Sequence, residues 1–452
     1  ITRWRFWESL PSFCQQDLVA DADNPPAEPD HSSNASQINA RLNSADTAWW
    51  RSGGTALQSV MQQDGSSLSR YASRLRQCAS EEQHKKPPAR VEAVAAQTSG
   101  YTTELVNSPE RFVELSADWD ALASQQRDAL MLHGWYRAAM EAQELTTGDL
   151  AIVILRKADR LVAAAPLQRA KAGLFERLVP VDAFAGEPDR LLFEDEVALQ
   201  QLGAACASLG KPILIRRLDL PQTATNLFAK SLRSRAFLKM QQRHSSNVLH
   251  LPSRLDELEA SVSASRRRTL RRKYKAARQS YGQLDAQLLV PEPAAVDQHL
   301  ARFAAIEHAS WKGQQGTSLL SDPRMRRFVS SLAHEFAASG KLAMTFLTLG
   351  GRDAAGKLML SVGGCWNEIK IGYDEQFASC SPGIILTHET MRHAIAQGIS
   401  TYRFLGLAED WQAHWPTRNG EDRLLASYPF TQAGIAAGVL DGWRAMRRIV
   451  TR

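Results

Sequence analysis

The sequence predicts a mixed α/β protein in which two α/β units follow a disordered arm, and three observations predict it. Residues 1 to about 98 are rich in Pro, Ser, Gln and charge, as in NPPAEPDHSSNASQ and SEEQHKKPPAR. Such segments bury too little apolar surface to offset the entropy of ordering. From residue 102 onward, runs that alternate apolar and polar side chains are interleaved with stretches whose apolar residues recur at helical spacing. The order of elements in 99–252 is loosely echoed in 253–452, so the chain divides into an arm (1–98) and two units of ordinary domain size.

Within the arm, short helices are expected only near 49–61 and 68–78. The first unit begins with a strand at 102–106. Ser108-Pro109-Glu110 then opens a helix with Phe112, Leu115, Trp119 and Leu122 on one stripe. A helix near 135–142, strands at 150–155 and 161–167, a helix at 197–208, a strand at 213–218, a helix at 224–233 and a strand at 247–251 complete the unit. The second unit starts with a helix at 255 and a basic helix over 265–279, whose apolar stripe is Leu270, Tyr274, Ala277 and Tyr281. A strand at 284–290, helices at 294–310 and 323–339, and strands at 342–349, 357–362 and 368–373 follow. After these come a helix from Pro382, a strand at 402–405, a strand-like piece and a final basic helix.

Composition narrows the function classes. The chain of 452 residues is 44% hydrophobic and 23% charged, as in a globular protein. No run approaches the roughly 18 apolar residues that a membrane-spanning helix needs, and the first residues lack the apolar core of a secretion signal. Five scattered cysteines without a C-x-x-C pair point to neither a disulfide framework nor zinc, and a cytoplasmic location is expected. The net charge of +6 has a local origin, because Arg266 to Arg278 holds eight Arg or Lys and no acid. A basic patch on a nearly neutral body is a weak pointer to nucleic acid.

Two stretches could carry chemistry. Between Glu368 and Gly398 a strand runs through Ser379-Cys380-Ser381-Pro382-Gly383 into a helix. Unpaired backbone N–H groups at the positive end of a helix dipole bind phosphate or pyrophosphate, although such a turn is also an ordinary cap. Glu307 continues the stripe Val296, Leu300, Phe303, so a carboxylate occupies a core position, with Trp311 and Lys312 nearby. Desolvation disfavours the charged form of a carboxylate, as a general base requires. Pairing with a basic side chain, for example from the Arg268 helix, is the alternative.

These residues carry a resemblance. Ser265-x-x-Arg268-x-Leu270-Arg271-Arg272, Glu307-x-x-Ser310-Trp311-Lys312, Gly372-Tyr373-Asp374 with Ser381-Pro382-Gly383, and Phe404-Leu405-Gly406 with Trp415 resemble the CelD-like branch of the GNAT acyltransferases. That branch is associated with cellulose and other exopolysaccharide biosynthesis and is similar in architecture to the FemAB peptidyltransferases. The resemblance is densest over 262–417. It implies two tandem GNAT-like folds and acetyl-CoA or another acyl-CoA as co-substrate. Ser381, Pro382, Gly383 and Ile384 would cradle the pyrophosphate, with Tyr373 and Asp374 beside the thioester. Trp311, Lys312, Arg268 and Arg272 would bind substrate, Glu307 would be the base and Tyr373 the proton donor to the leaving thiolate. The chain departs from the family at Arg403, where an acid is usual, and at Asp410-Trp411-Gln412, where a Tyr-Lys pair is usual.

Other signals are weaker. His388 and His393 are five residues apart, about 140° around a helix, so a zinc site is not expected. Cys380 before a helix start has no companion histidine in the sequence. Arg268, Arg271, Arg272 and Lys275 share a cationic face that is a solvated helix, a contact for an anionic ligand, or a nucleic-acid or membrane surface; DNA is not expected. The expected function is therefore acyl transfer to an amine or hydroxyl of a sugar or polysaccharide precursor. FemAB-like transfer from aminoacyl-tRNA and a non-catalytic scaffold are the alternatives.

Overall fold

The structure, a computed structural model, describes residues 100–172, 175–243 and 246–450. The arm and its two short helices lie outside the described residues. The first half begins with β1 (Tyr101–Val106), α1 (Pro109–Glu114) and α2 (Ser116–Ala123). Ser108 starts α1 by accepting the Arg111 N–H at 3.2 Å, and Pro109 fills the first helical position. The single helix expected here breaks at Leu115, yet Phe112, Leu115, Trp119 and Leu122 are all buried as their stripe requires.

Next come α3 (His133–Gln143), β2 (Ile152–Lys157), β3 (Arg160–Ala165), β4 (Leu167–Ala172), β5 (Phe175–Pro180), β6 (Leu192–Phe193), α4 (Glu196–Ser208), β7 (Ile213–Leu218), α5 (Gln222–Arg233), β8 (Ala236–Gln242) and β9 (Asn247–His250). Strands β4, β5 and β8 escaped the sequence reading because Arg, Lys, Glu and Gln interrupt their alternation. The second half contains α6 (Leu255–Ser261), α7 (Ala264–Tyr281), β10 (Leu284–Leu289), α8 (Val296–His308), α9 (Trp311–Gln314), α10 (Pro323–Ala338), β11 (Leu342–Leu349), β12 (Arg352–Val362) and β13 (Cys365–Tyr373). It ends with α11 (Pro382–Ala396), β14 (Thr401–Phe404), β15 (Arg418–Asn419), β16 (Arg423–Pro429) and α12 (Gln432–Val450).

Three sheets organise these strands, in the orders β1-β2-β3-β6, β4-β5-β7-β16-β8 and β10-β11-β12-β13-β14-β9-β15. The halves exchange strands. β16, from the end of the chain, lies between β7 and β8 and is antiparallel to both, while β9 crosses over to pair with β14. One apolar cluster runs from Trp119 and Trp135 through Phe328 and Phe336 of α10 to Met344 and Leu358. Trp135 meets Phe328 edge-on at 5.1 Å between ring centroids. α3 and α10 approach closely there, because a Cβ on Gly134 would stand 2.4 Å from Cγ of Glu335.

The feature that positions the site is in the seven-stranded sheet. β13 and β14 are parallel and pair only from Cys365–Thr401 to Glu368–Phe404. β13 then continues to Tyr373, while the chain leaves β14 through Leu405 and Gly406, whose φ of 78° is left-handed. The two strands therefore part beyond Glu368, and the start of α11 follows the longer one.

Candidate functional site

Ser381 stands at the head of α11 in a left-handed conformation (φ 54°), with Pro382 at the first position. Its carbonyl already accepts the N–H groups of Ile384 (3.1 Å) and Ile385 (3.4 Å), and Pro382 has no N–H. Of the amides in the expected cradle, the Gly383 N–H is the one left with no bond among the described residues. A cation stands beside this helix start. Lys273 reaches across from α7 and donates from Nζ to the Ser381 hydroxyl. Burial lowers the Lys273 pKa, and neighbouring Arg272 adds to the effect. An anion at this helix start would relieve both and meet the helix dipole. The ring of Tyr373 lies beside Gly383, 3.8 Å from where a Cβ would be. Asp374 is engaged locally, its Oδ1 accepting the Gln376 N–H at 2.9 Å in the turn that leads to Cys380.

On the other face of the sheet, Glu307 at the end of α8 is fully buried. Its Oε2 accepts the Leu319 N–H at 2.8 Å and its Oε1 accepts from Lys312 Nζ at 3.2 Å. Lys370 Nζ stands 4.0 Å from the same oxygen, and Lys312 also donates to the Ile371 carbonyl at 2.7 Å. Burial lowers the Lys370 pKa and Glu307 opposes that shift. The carboxylate therefore pairs with a basic side chain, but from α9 and β13 rather than from α7. Gly372 makes the approach possible, since a Cβ there would lie 2.8 Å from the Glu307 Cα. Trp311 is exposed.

A second buried polar cluster occupies the fork itself. Lys357 of β12 is fully buried and donates to Glu368 Oε2 and, at 3.1 Å, to the Tyr402 hydroxyl, which also donates to Glu368. Its ammonium lies 5.4–5.8 Å from the ring centroids of Tyr402, Phe404 and Trp411, within cation–π range. Burial lowers the Lys357 pKa against the pull of Glu368, and burial followed by Glu368 raises Tyr402 well above its ordinary value. Glu368 belongs to the last rung before the strands part. This cluster was missed because a lysine alternating with apolar residues in a strand normally reads as facing solvent; a lysine and a glutamate on adjacent strands was the available signal.

Arg403, where the resemblance calls for an acid, donates to Asp128, which also accepts from Arg190 at 2.9 Å. It ties β14 to the first half, so a cation at 403 has a structural counterpart in Asp128. Nearby, Glu187 accepts the Gly406 N–H at 2.6 Å, and burial pushes it up to about 7 against the pull of Arg217.

Along α7, Arg268 and Arg272 are exposed, whereas Arg271 and Lys275 line a pocket with His388 and Trp415. His388 is engaged by the Tyr274 hydroxyl (2.8 Å) and Glu259 (3.2 Å), and no metal-binding group of His, Cys, Asp and Glu occurs among the described residues. Cys380 is buried with Sγ directed at the Phe377 carbonyl, and burial raises its thiol pKa.

Residues 264–413, from α7 to the turn before Trp415, match the sequence profile of the Acetyltransferase (GNAT) domain. Among solved structures the chain is similar to FemX, with 13% identity and a TM-score of 0.50 over 73% of this chain and 98% of that one. It is also similar to a tandem GNAT protein from the clavulanic acid biosynthesis pathway, with 11% identity and a TM-score of 0.38 over 73% and 98%. A third similarity is to the C-terminal domain of a putative lysylphosphatidylglycerol synthetase from Agrobacterium fabrum, with 11% identity and a TM-score of 0.47 over 72% and 95%. Among curated proteins no sequence matches the chain. Residues 264–413 are thus similar to a GNAT acetyltransferase domain, and the tandem α/β architecture expected from the sequence is similar to the fold of FemX.

Proposed function

We propose that the second half transfers an acyl group from acyl-CoA to an amine or hydroxyl of a sugar or polysaccharide precursor. The observation that carries this reading is the fork between β13 and β14 beside the head of α11, where an open strand edge adjoins the Gly383 N–H, the Ser381 hydroxyl and the Lys273 ammonium. A pyrophosphate suits that group, and an extended thioester arm suits an unpaired strand edge. Ser381, Pro382, Gly383 and Ile384 form the donor side, with Tyr373 and Asp374 next to the thioester. Trp311, Lys312, Arg268 and Arg272 form the acceptor side.

In the reaction the acceptor nitrogen or oxygen attacks the thioester carbonyl carbon, its proton passes to a carboxylate, the C–S bond breaks and the departing thiolate takes a proton from Tyr373. Glu307 is the base in this reading, supported by its place against Gly372 on the part of β13 that runs on beyond its pairing with β14. Glu368, in the fork with Tyr402, is the competing carboxylate. Full-length protein titrated with acetyl-CoA and longer acyl-CoAs by calorimetry should bind at least one of them saturably, and mass spectrometry of saccharide acceptors should show the added acyl group. No binding of any acyl-CoA would end the proposal. If binding persists, loss of transfer in Glu307→Gln but not in Glu368→Gln selects the base.

A second reading, aminoacyl transfer from tRNA, is supported by the exposed guanidinium groups of Arg268 and Arg272 on a helix rich in cations. It requires that Arg268→Glu with Arg272→Glu abolish binding of charged tRNA. A non-catalytic scaffold is the third; transfer that disappears in either carboxylate variant eliminates it. No described helix is long and apolar enough to cross a membrane, and the reading places the protein in the cytoplasm. The division at 252/253 is retained as a division of function, with strands exchanged across it.

A further inference from the structure

α7 has a second cationic face that the donor fork does not use. Lys273 points at Ser381, whereas Arg271, Lys275 and Arg278 project roughly 140–160° away around the helix. On that side lies a pocket of about 550 Å³, within the range of small-ligand sites, and its lining includes neither Ser381 nor Lys273.

The charges in this pocket are unbalanced. Arg267 is occupied at the end of α6, donating to the carbonyls of Glu259 and Ala260 at 3.0 Å and to that of Val262. Arg278 lies over the Tyr274 ring at 5.7 Å. Arg271 and Lys275, one turn apart and both exposed, have no hydrogen bond or ion pair among the described residues. The carboxylate in the lining, Glu259, is engaged with His388 Nε2 at 3.2 Å. Like charges at i and i+4 repel, so this wall is complementary to a polyanion.

The floor is aromatic and has an unused donor. His388 and Trp415 are parallel, with planes 4° apart and centroids 6.0 Å apart, and Tyr274 meets His388 edge-on at 5.7 Å. Trp415 is only 2% exposed, and its indole N–H has no partner among the described residues. Buried donors are normally satisfied, so this one calls for a partner that the described residues do not supply.

We propose that this pocket is a nucleotide site separate from the donor fork. It takes a nucleoside diphosphate, with the phosphates on Arg271 and Lys275 and the planar base against Trp415 and His388. The site does not depend on acyl transfer. ADP is the probe, titrated calorimetrically into the full-length protein. One saturable site is expected, weakened at least tenfold by Arg271→Glu with Lys275→Glu and less than twofold by Lys273→Glu. Arg271→Gln with Lys275→Gln removes the charges without reversing them and is expected to act in the same direction, which covers the case in which the reversed variant does not fold. Absence of saturable ADP binding overturns the proposal. So does unchanged affinity in the folded charge variants, or an equal loss in Lys273→Glu, which would place ADP in the donor fork.

Discussion

Lys357→Met tests the buried cluster in the fork most directly. The native ammonium is fully buried and shared between Glu368 and Tyr402, so the substitution leaves a carboxylate at 6% exposure with one hydroxyl donor and no cation. Removing one partner of a buried ion pair costs about 3–5 kcal/mol, because the remaining charge loses its compensation. Methionine keeps most of the side-chain volume, so little of that loss comes from a cavity. Adding Glu368→Gln removes the stranded charge while keeping an acceptor for Tyr402, and the double variant should recover more than half of the loss. Urea unfolding followed by intrinsic fluorescence measures both values. A loss below about 1 kcal/mol for Lys357→Met, or no recovery in the double variant, would refute the account of Lys357 as the paired cation of the fork.

Three further outcomes follow from other parts of the molecule. Glu187, raised to about 7, and Asp182 and Asp189, both raised by burial, bind protons more tightly folded than unfolded. Their contribution is therefore complete below the ordinary carboxylate range and is lost as pH rises through about 7. His133, His388 and His414, lowered by burial, act in the opposite sense over the same range, so the carboxylate effect is read as a difference. The urea midpoint of the native protein relative to that of Glu187→Gln should fall between pH 5 and pH 8, and a difference that does not change with pH would contradict the assignment. Gly372→Ala drives a Cβ to 2.8 Å from the Glu307 backbone, which cannot swing aside as a side-chain tip can, and should cost about 1–3 kcal/mol with a matching loss in thermal unfolding. Arg403→Asp restores the acid of the related family but faces it towards Asp128, so it should destabilise the protein by more than about 3 kcal/mol, and a neutral result in the same unfolding assay would show that the two side chains do not meet.

Local features were legible where sequence signals are local. Ser108 caps α1 with Pro109 at its first position, as expected, and the apolar stripe of α7 through Leu270 and Ala277 is buried, as its spacing requires. Glu307 was placed on the buried face of its helix, and it is buried. Its partner was not legible, because Lys312 meets it only after the chain turns from α8 into α9, and Lys370 meets it from a strand far along the sequence. The cluster of Lys357, Glu368 and Tyr402 needs three strands in register before its members touch. The pocket beside Trp415 similarly needs α6, α7 and α11 together. Alternation shows which residues share a face of a strand; it does not show whether another layer covers that face.

The position of β16 has a temporal consequence. Its neighbours β7 and β8 are synthesised some two hundred residues earlier, and until the last strand arrives their facing edges stay unpaired. The five-stranded sheet therefore closes only once 423–429 has left the ribosome, through contacts of very large sequence separation, which fold slowly. Before that moment the open β7 and β8 edges are templates for strands of other chains, so a nascent or truncated product lacking 423–429 is prone to self-association. β16 is the strand that closes this sheet: a piece that stops before 423 contains the four strands β1, β2, β3 and β6 of the first sheet but leaves β7 and β8 apart.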